Sequence, residues 1–362
     1  MARREFLQLA KTFNPEKSNI AGWFLSEKLD GTRCFWDGGL SRGLPTVEVP
    51  WASVTDPKTG GRKAKIKPTA TGLWSRYGNP IIAPDWFLDD LPPCFLDGEL
   101  WAGRGRFQTC RSICAGDSPD PRFDQITYAV YSSPHPERLF ADGEIKNTNF
   151  HCAVSYKEFM SWARRRIAVR PGFDLVERGS TFAGELKFLQ QCVHGEFVRV
   201  HEQIMLPHTE VGARQALESF LDEVLSHGGE GVIVRSPTAT WTPKRVSTLL
   251  KYKPFLDAEA TITGFTSGRK TDKGSKHLGK IGALITDFRG KRLELSGLTD
   301  AEREFTTDAM KLHATRHPGV DMPSEFQGKH FRVGETVSFR FRELTDSGVP
   351  KEARYFRKRD IE

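Results

Sequence analysis

Lys28-Leu29-Asp30-Gly31-Thr32-Arg33 sets an amine, a carboxylate and a guanidinium around a glycine, directly after the apolar run that starts at Trp23. If Trp23 to Leu29 is a strand, its side chains alternate, and Lys28 and Asp30 project from one face before Gly31 allows a tight bend. A lysine becomes a nucleophile once neighbouring cations or desolvation lower its pKa, and phosphorus is a fitting electrophile when counter-charges hold its oxygens. Alone, the stretch reads equally well as an exposed lysine before a turn. The clusters downstream decide between the two.

Ser75-Arg76-Tyr77-Gly78 offers an arginine in a glycine-ended turn suited to a phosphate. In Phe95-Leu96-Asp97-Gly98-Glu99-Leu100 an apolar run presents Asp97 and Glu99 on one face, where a carboxylate can accept a ribose hydroxyl or hold a divalent metal. Ile126 to Tyr131 reads as a strand with an aromatic end able to stack on a base, or as one ending in a half-buried core tyrosine. A helix is predicted from about Val211 to Ser226, because Ala213, Ala216, Leu217, Phe220, Leu221, Val224 and Leu225 recur at three- and four-residue intervals; Gly228 and Gly229 end it. Glu230 then leads into the apolar strand Val232-Ile233-Val234-Arg235 and is placed to face a metal. In Leu249-Leu250-Lys251-Tyr252-Lys253 the two lysines share a face; alone they read as solvated lysines on an edge strand, while their repulsion makes sense with a polyanion between them.

In this order, Ser26 to Gly31, Ser75-Arg76, Leu96 to Trp101, Gly229 to Val232 and Leu250 to Lys253 resemble the ATP-dependent DNA ligases of the covalent nucleotidyltransferase superfamily. The resemblance covers nearly the whole chain and is nearest to the minimal bacterial and bacteriophage type. It implies an α+β nucleotidyltransferase (adenylation) domain of antiparallel sheets with flanking helices, followed by a small OB-fold β-barrel. It also implies ATP as cofactor with Mg²⁺ or Mn²⁺, and nicked double-stranded DNA as partner. Lys28 is then the nucleophile that takes AMP, which passes to a 5′-phosphate before the 3′-hydroxyl displaces it.

By the same resemblance Glu27, Lys28, Arg33, Glu99, Tyr131, Lys251 and Lys253 hold the nucleotide, with Arg33 and Glu99 on the ribose, Tyr131 on adenine, and Lys251 with Lys253 on the α-phosphate. Arg76 holds the nick phosphate, and Glu99 and Glu230 serve the metal. The segment Arg354 to Asp360 resembles the last family motif, which orients pyrophosphate, and offers Arg357 and Arg359 for that role. It lacks the usual closing lysine. Where the family commonly has an aromatic followed by Asp, this chain has Tyr131-Ser132. RNA ligases and mRNA capping guanylyltransferases share the lysine motif and the metal carboxylate, so choice of base and of polynucleotide stays open.

A hydrophobic content of 38%, charged residues at 27%, a net charge of +7 and a pI near 9.0 suit a soluble protein with a polyanionic partner. Six cysteines form no CxxC pair, so neither a zinc ribbon nor a redox motif is indicated. This favours ATP over NAD, and no P-loop motif is present. The N-terminus does not read as a signal peptide, and no apolar run of about 18 residues could span a membrane. A monomer in the cytoplasm, or in the host cytoplasm if viral, is expected, acting in DNA replication, repair or recombination.

Two domains are expected, 1–254 and 255–362. Within the first, about 38–72 lengthens the gap between motifs, and its Lys58, Arg62, Lys63, Lys65 and Lys67 suggest an inserted loop touching DNA. Tyr156 to Arg166 reads as a helix with Lys157 and Arg164 to Arg166 outward; the histidines of 135–208 lack metal spacing and receive no chemistry. Beyond Pro254, strands are predicted at Ala258 to Thr266, Ala283 to Phe288, Arg292 to Ser296 and Glu335 to Glu343, the last with one apolar and one basic face. Thr299-Asp300-Ala301-Glu302 resembles a capping box opening a helix. Lys270, Lys273, Lys276 and Lys280 are further phosphate-backbone candidates. The C-terminal domain is expected to move between presenting its arginines to ATP and lying on DNA.

Overall fold

In the computed structural model of the chain, which describes residues 7–54, 63–139, 156–167, 181–270, 274–345 and 347–358, the stretch around Lys28 links two different sheets. The chain divides into two units, Met1–Tyr252 and Lys253–Glu362. The first runs β1 (Leu9–Thr12), β2 (Phe24–Glu27), β3 (Thr32–Asp37), β4 (Leu73–Ser75), α1 (Asp85–Asp89), β5 (Phe95–Trp101), α2 (Phe107–Ala115), β6 (Thr127–Ser132), α3 (Pro136–Leu139), α4 (Tyr156–Ile167), α5 (Phe182–Cys192), β7 (Val198–Val200), β8 (Ile204–Met205), α6 (Glu210–Ser226), β9 (Val232–Arg235) and β10 (Arg245–Tyr252). One sheet is ordered β1-β10-β9-β2-β8, the other β4-β3-β5-β6-β7. Only β1 with β10 and β6 with β7 pair in parallel among the described strands.

The period of two in each strand separates core from site. Leu25, Val232, Val234 and Leu250 of the first sheet pack with Ala213, Leu217, Leu221 and Val224 of α6. Their neighbours Ser26, Ile233, Arg235, Leu249 and Lys251 line a cavity instead. In the second sheet Cys34, Trp36, Leu96, Leu100, Tyr128 and Val130 join a core with Phe87, Ile113 and Phe123, while Arg33, Glu99 and Tyr131 reach the same cavity. Gly98 lets β5 and β6 approach closely, since a Cβ there would lie 2.5 Å from the Ala129 carbonyl oxygen. Helix α6 matches its periodicity, with Thr209 as N-cap accepting from the Gly212 amide.

The strand predicted from Trp23 to Leu29 ends earlier, at Glu27. Lys28 therefore lies in the link, its amide donating to the Gly231 carbonyl at 2.8 Å. Gly31 is needed for close approach: a Cβ would lie 2.3 Å from the Leu100 carbonyl oxygen.

The described part of the 38–72 insert is packed through its apolar residues. Leu40, Leu44, Val49, Trp51, Ala52 and Ala70 are buried with Phe35, Trp74, Phe95 and, from α4, Phe159. Buried Asp37 accepts from Trp74 Nε1 at 2.9 Å and from the Ser41 hydroxyl, which closes the base of the insert. The described lysines offered for DNA also meet protein groups. Lys63 Nζ donates to Ser53 Oγ at 2.6 Å and Asn79 Oδ1 at 2.9 Å, Lys65 pairs with Asp117, and Lys67 Nζ donates to the Gly116 carbonyl at 2.6 Å. Lys58 and Arg62 lie outside the described residues.

The second unit holds β11 (Leu256–Ser267), β12 (Ile281–Phe288), β13 (Lys291–Leu295), α7 (Asp308–Arg316), β14 (Thr336–Phe341) and β15 (Arg354–Lys358), in the antiparallel order β13-β12-β11-β14-β15. The edge strands meet at one bridge, Ser296 to Arg354, so among the described residues no continuous ladder closes a barrel. The basic segment at the C-terminus is no solvated tail, since Arg354–Lys358 pairs with β14 as an edge strand. The capping box forms as read, the Thr299 amide donating to Glu302 at 2.7 Å, but no helix follows it. Arg303 instead turns inward to the Ile281 and Gly282 carbonyls and Phe305 is buried, so the helix starts only at Asp308, capped by Thr307. Lys276 pairs with Asp300 and Lys280 with Glu304; Lys273 is outside the described residues. No described helix is long and apolar enough to cross a membrane.

Gly72 closes the insert with φ +91°, and a Cβ there would lie 2.4 Å from the Trp36 ring. Gly72→Ala is expected to destabilise the first unit by about 2 kcal/mol, from left-handed strain plus overpacking, read as a lowered urea midpoint.

Candidate active site

The cavity between the two sheets of the first unit has a volume of about 250 Å³. Each sheet supplies one wall. From β2 and the link come Glu27 and Lys28, from β10 Lys251, from β3 Arg33, from β5 Glu99, from β6 Tyr131, and from the turn after β4 Arg76. The predicted residues of this unit thus converge, although they are spread over more than two hundred positions.

Lys28 Nζ is paired with Glu230 Oε2, and both side chains are largely shielded, at 24% and 10% exposure. Gly231, next to Glu230, holds the Lys28 amide, so one short segment grips both ends of the lysine. Arg33 donates from Nε and Nη2 to the two oxygens of fully buried Asp97, each at 2.7 Å, and its guanidinium carbon lies 4.8 Å from the Tyr131 ring centre. Burial works against the Arg33 charge, but Asp97, Tyr131 and Glu99 more than offset it, and its pKa stands above the ordinary range. Burial pushes the Glu99 carboxyl up, against the pull of Arg33 and Lys28. The Tyr131 hydroxyl, also raised by burial, lies 3.5 Å from Glu99 Oε2.

Some predicted residues are differently engaged. The Glu27 carboxylate takes both Nε and Nη2 of Arg104, each at 2.8 Å, and its carbonyl accepts from His201 Nε2 at 2.8 Å. Arg76 is exposed, lying 4.7 Å over the Tyr77 ring. Lys253 belongs to the second unit, as does Arg357, which is exposed on β15; Arg359 lies outside the described residues. A wider groove of about 580 Å³ shares Arg33, Arg76 and Glu99 with the cavity and adds Lys67 and Arg111.

Sequence reading missed Arg235, Arg245, His201 and Gln203, all of which line the cavity. Arg235 was legible in principle, because on β9 it shares a face with Ile233. The histidines of 135–208 had been set aside, yet His201 reaches the cavity, with burial lowering its pKa.

Among the described residues no group of three or more His, Cys, Asp or Glu stands ready for a metal. Mg²⁺ commonly binds through one or two carboxylates plus phosphate oxygens and water, so Glu230 and Glu99 beside Lys28 fit such an ion in company with a nucleotide.

No family model matches the chain. A DNA ligase of Haemophilus influenzae is 24% identical over 354 residues, spanning 98% of this chain and 92% of that protein. A DNA ligase of Methanococcus aeolicus is 29% identical over 118 residues, 31% of this chain and 21% of its own length. A solved structure from work on Lig E DNA ligases, described as binding DNA with a minimal scaffold, shares 25% identity over 98% of both chains with a TM-score of 0.61. Fold and motifs together define an α+β domain with a lysine in a cationic cavity between two sheets. Along nearly its whole length the chain is similar to a DNA ligase, and in fold to a minimal DNA ligase scaffold.

Asp97→Asn would leave the buried Arg33 without its counter-charge. A loss of about 3 kcal/mol in unfolding free energy is expected, with weaker nucleotide labelling, checked by denaturant titration beside a labelling assay.

Proposed function

We propose that this DNA ligase seals nicks in duplex DNA through AMP carried on Lys28. The observation that carries the reading is the Lys28 amine in a cavity whose walls add Arg33, Arg235, Arg245 and Lys251, with the Tyr131 ring between them. Such a cationic enclosure matches a nucleoside triphosphate: the ring stacks on adenine, Arg33 and Glu99 meet the ribose, and Lys251 neutralises the α-phosphate.

Lys28 Nζ attacks the α-phosphorus, the bond to the bridging oxygen of the β-phosphate breaks, and pyrophosphate leaves. An ammonium held by a carboxylate is no nucleophile, so the amine must lose a proton first, and Glu230 Oε2 is the acceptor already against it. A 5′-phosphate oxygen of the nick then attacks the same phosphorus and the P–N bond breaks. Finally the 3′-hydroxyl attacks the 5′-phosphorus and AMP departs. A divalent ion held at Glu99, and at Glu230 once its proton has passed to water, would supply charge neutralisation on the phosphates. The wider groove, with Arg76 at its junction with the cavity, is the place proposed for the nick phosphate.

The second unit is proposed to act as an OB-type DNA-binding module. Its support is the five-stranded antiparallel order and the nearly joined edges of β13 and β15. Arg357, with Arg359, would orient pyrophosphate during self-adenylylation, the unit then moving to lie along DNA.

The test is transfer of label from α-labelled ATP or GTP to the protein with Mg²⁺, comparing wild type with Lys28→Ala. Label from ATP alone, lost in the variant by at least a thousandfold, is the expected result. Label from GTP would move the reading to a capping enzyme, and label surviving in Lys28→Ala would remove Lys28 from its role. In a second assay Arg76→Ala is expected to keep self-adenylylation and slow sealing of a 5′-phosphorylated nick by about a hundredfold.

A further inference from the structure

We propose that Glu185 is a positioning residue for the nucleotide, holding Tyr131 and Arg235 in place from behind the cavity wall. The inference rests on the reading of Tyr131 as the surface that meets adenine.

Glu185 belongs to α5, in a stretch without motif, and is only 5% exposed. Its Oε2 accepts from the Ser132 hydroxyl and, at 3.2 Å, from the Ser133 amide, the two residues after Tyr131. The Ser133 hydroxyl in turn donates to the Phe95 carbonyl at 2.7 Å, which ties this corner to β5. On the other side stands Arg235 of β9, equally buried. Its Nη1 donates to the Tyr131 carbonyl at 3.1 Å, and its guanidinium carbon lies 4.4 Å from the ring centre of Phe182, the first residue of α5. Carboxylate and guanidinium, from a helix and from the opposite sheet, thus bracket the Tyr131 backbone. A buried carboxylate is costly and persists where its bonds fix a geometry.

The charged groups that face Glu185 are Arg235 from β9 and Asp97 from β5, the latter paired to Arg33 of β3. Burial pushes the Glu185 carboxyl up to about 7, against the bonds from Ser132 and the attraction of Arg235. The bracket is therefore fully charged only above that pH. The stability effect has the opposite sense. Between about pH 4.5 and 7 the folded chain holds a proton at Glu185 that the unfolded chain has released, so this group's contribution to stability falls as pH rises through the window. A residue that merely docks α5 would change stability without touching nucleotide affinity selectively.

The test follows KM for ATP and the maximal rate in self-adenylylation at pH 6 and pH 8, for wild type, Glu185→Gln, Ser132→Ala and Tyr131→Leu, with unfolding midpoints for each. At pH 8 Glu185→Gln is expected to raise KM about tenfold, the scale of a lost hydrogen bond to a charged group, with the maximal rate within about twofold. At pH 6 it should match wild type, and Ser132→Ala should show a smaller rise at pH 8. An unchanged KM in both variants at pH 8 overturns the inference. If Glu185→Gln fails to fold, Ser132→Ala decides alone, an unchanged KM counting against it. Tyr131→Leu separates the two levels. Should it leave KM unaltered, the adenine reading fails; should it raise KM while both other variants do not, only the role of Glu185 falls.

Discussion

The buried pair of Arg33 and Asp97 is the interaction on which the site depends. Asp97 receives both arginine nitrogens and also Trp241 Nε1 at 3.0 Å, while Arg33 reaches on to the Gln8 carbonyl at 3.2 Å. The pair thereby gathers β3, β5, the segment before β10 and the segment before β1. Removing two charges from water costs about as much as their attraction returns, so such a pair contributes little net stability. What it supplies is register. With Asp97 pinned, Glu99 two residues on must point into the cavity, and Tyr131 lies against the Arg33 guanidinium.

The cavity is electrostatically lopsided. Lys28, Arg33, Arg76, Arg235, Arg245 and Lys251 face Glu27 and Glu99, and Glu27 is itself engaged by Arg104. Cations held close together in a shielded space repel one another, and the fold sustains this by fixing most of them to carboxylates or carbonyls behind the wall. The charge that remains to the interior is already oriented when a polyanion enters, so little reorganisation is required at the moment of reaction.

Most of the cavity was legible because strands make faces predictable. Once Leu96 and Leu100 are core, Asp97 and Glu99 follow, and the same holds for Lys251 beside Leu250. Lys28 was singled out by its chemistry even though its strand stops at Glu27, one residue short. In the insert the basic residues drew attention, whereas its packing is set by Leu40, Leu44, Val49 and Trp51, which are buried in one core with Phe159 of α4. Arg104 and Glu185 had no motif to announce them; they act across sequence gaps of 77 and 53 residues. The capping box shows the reverse error. A correct local signal formed its hydrogen bonds, and the core still drew Phe305 inward before a helix could start.

The placement of Lys28 in the link between two sheets has a mechanical consequence. The lysine hangs from the first sheet through the Gly231 carbonyl, while Gly31, three residues on, is wedged against the Leu100 carbonyl of the second. Any opening of the cavity to admit or discharge a ligand must stretch or rotate this short tether. The Lys28 nitrogen is therefore aimed by both sheets at once, and a shift of either wall would change its direction.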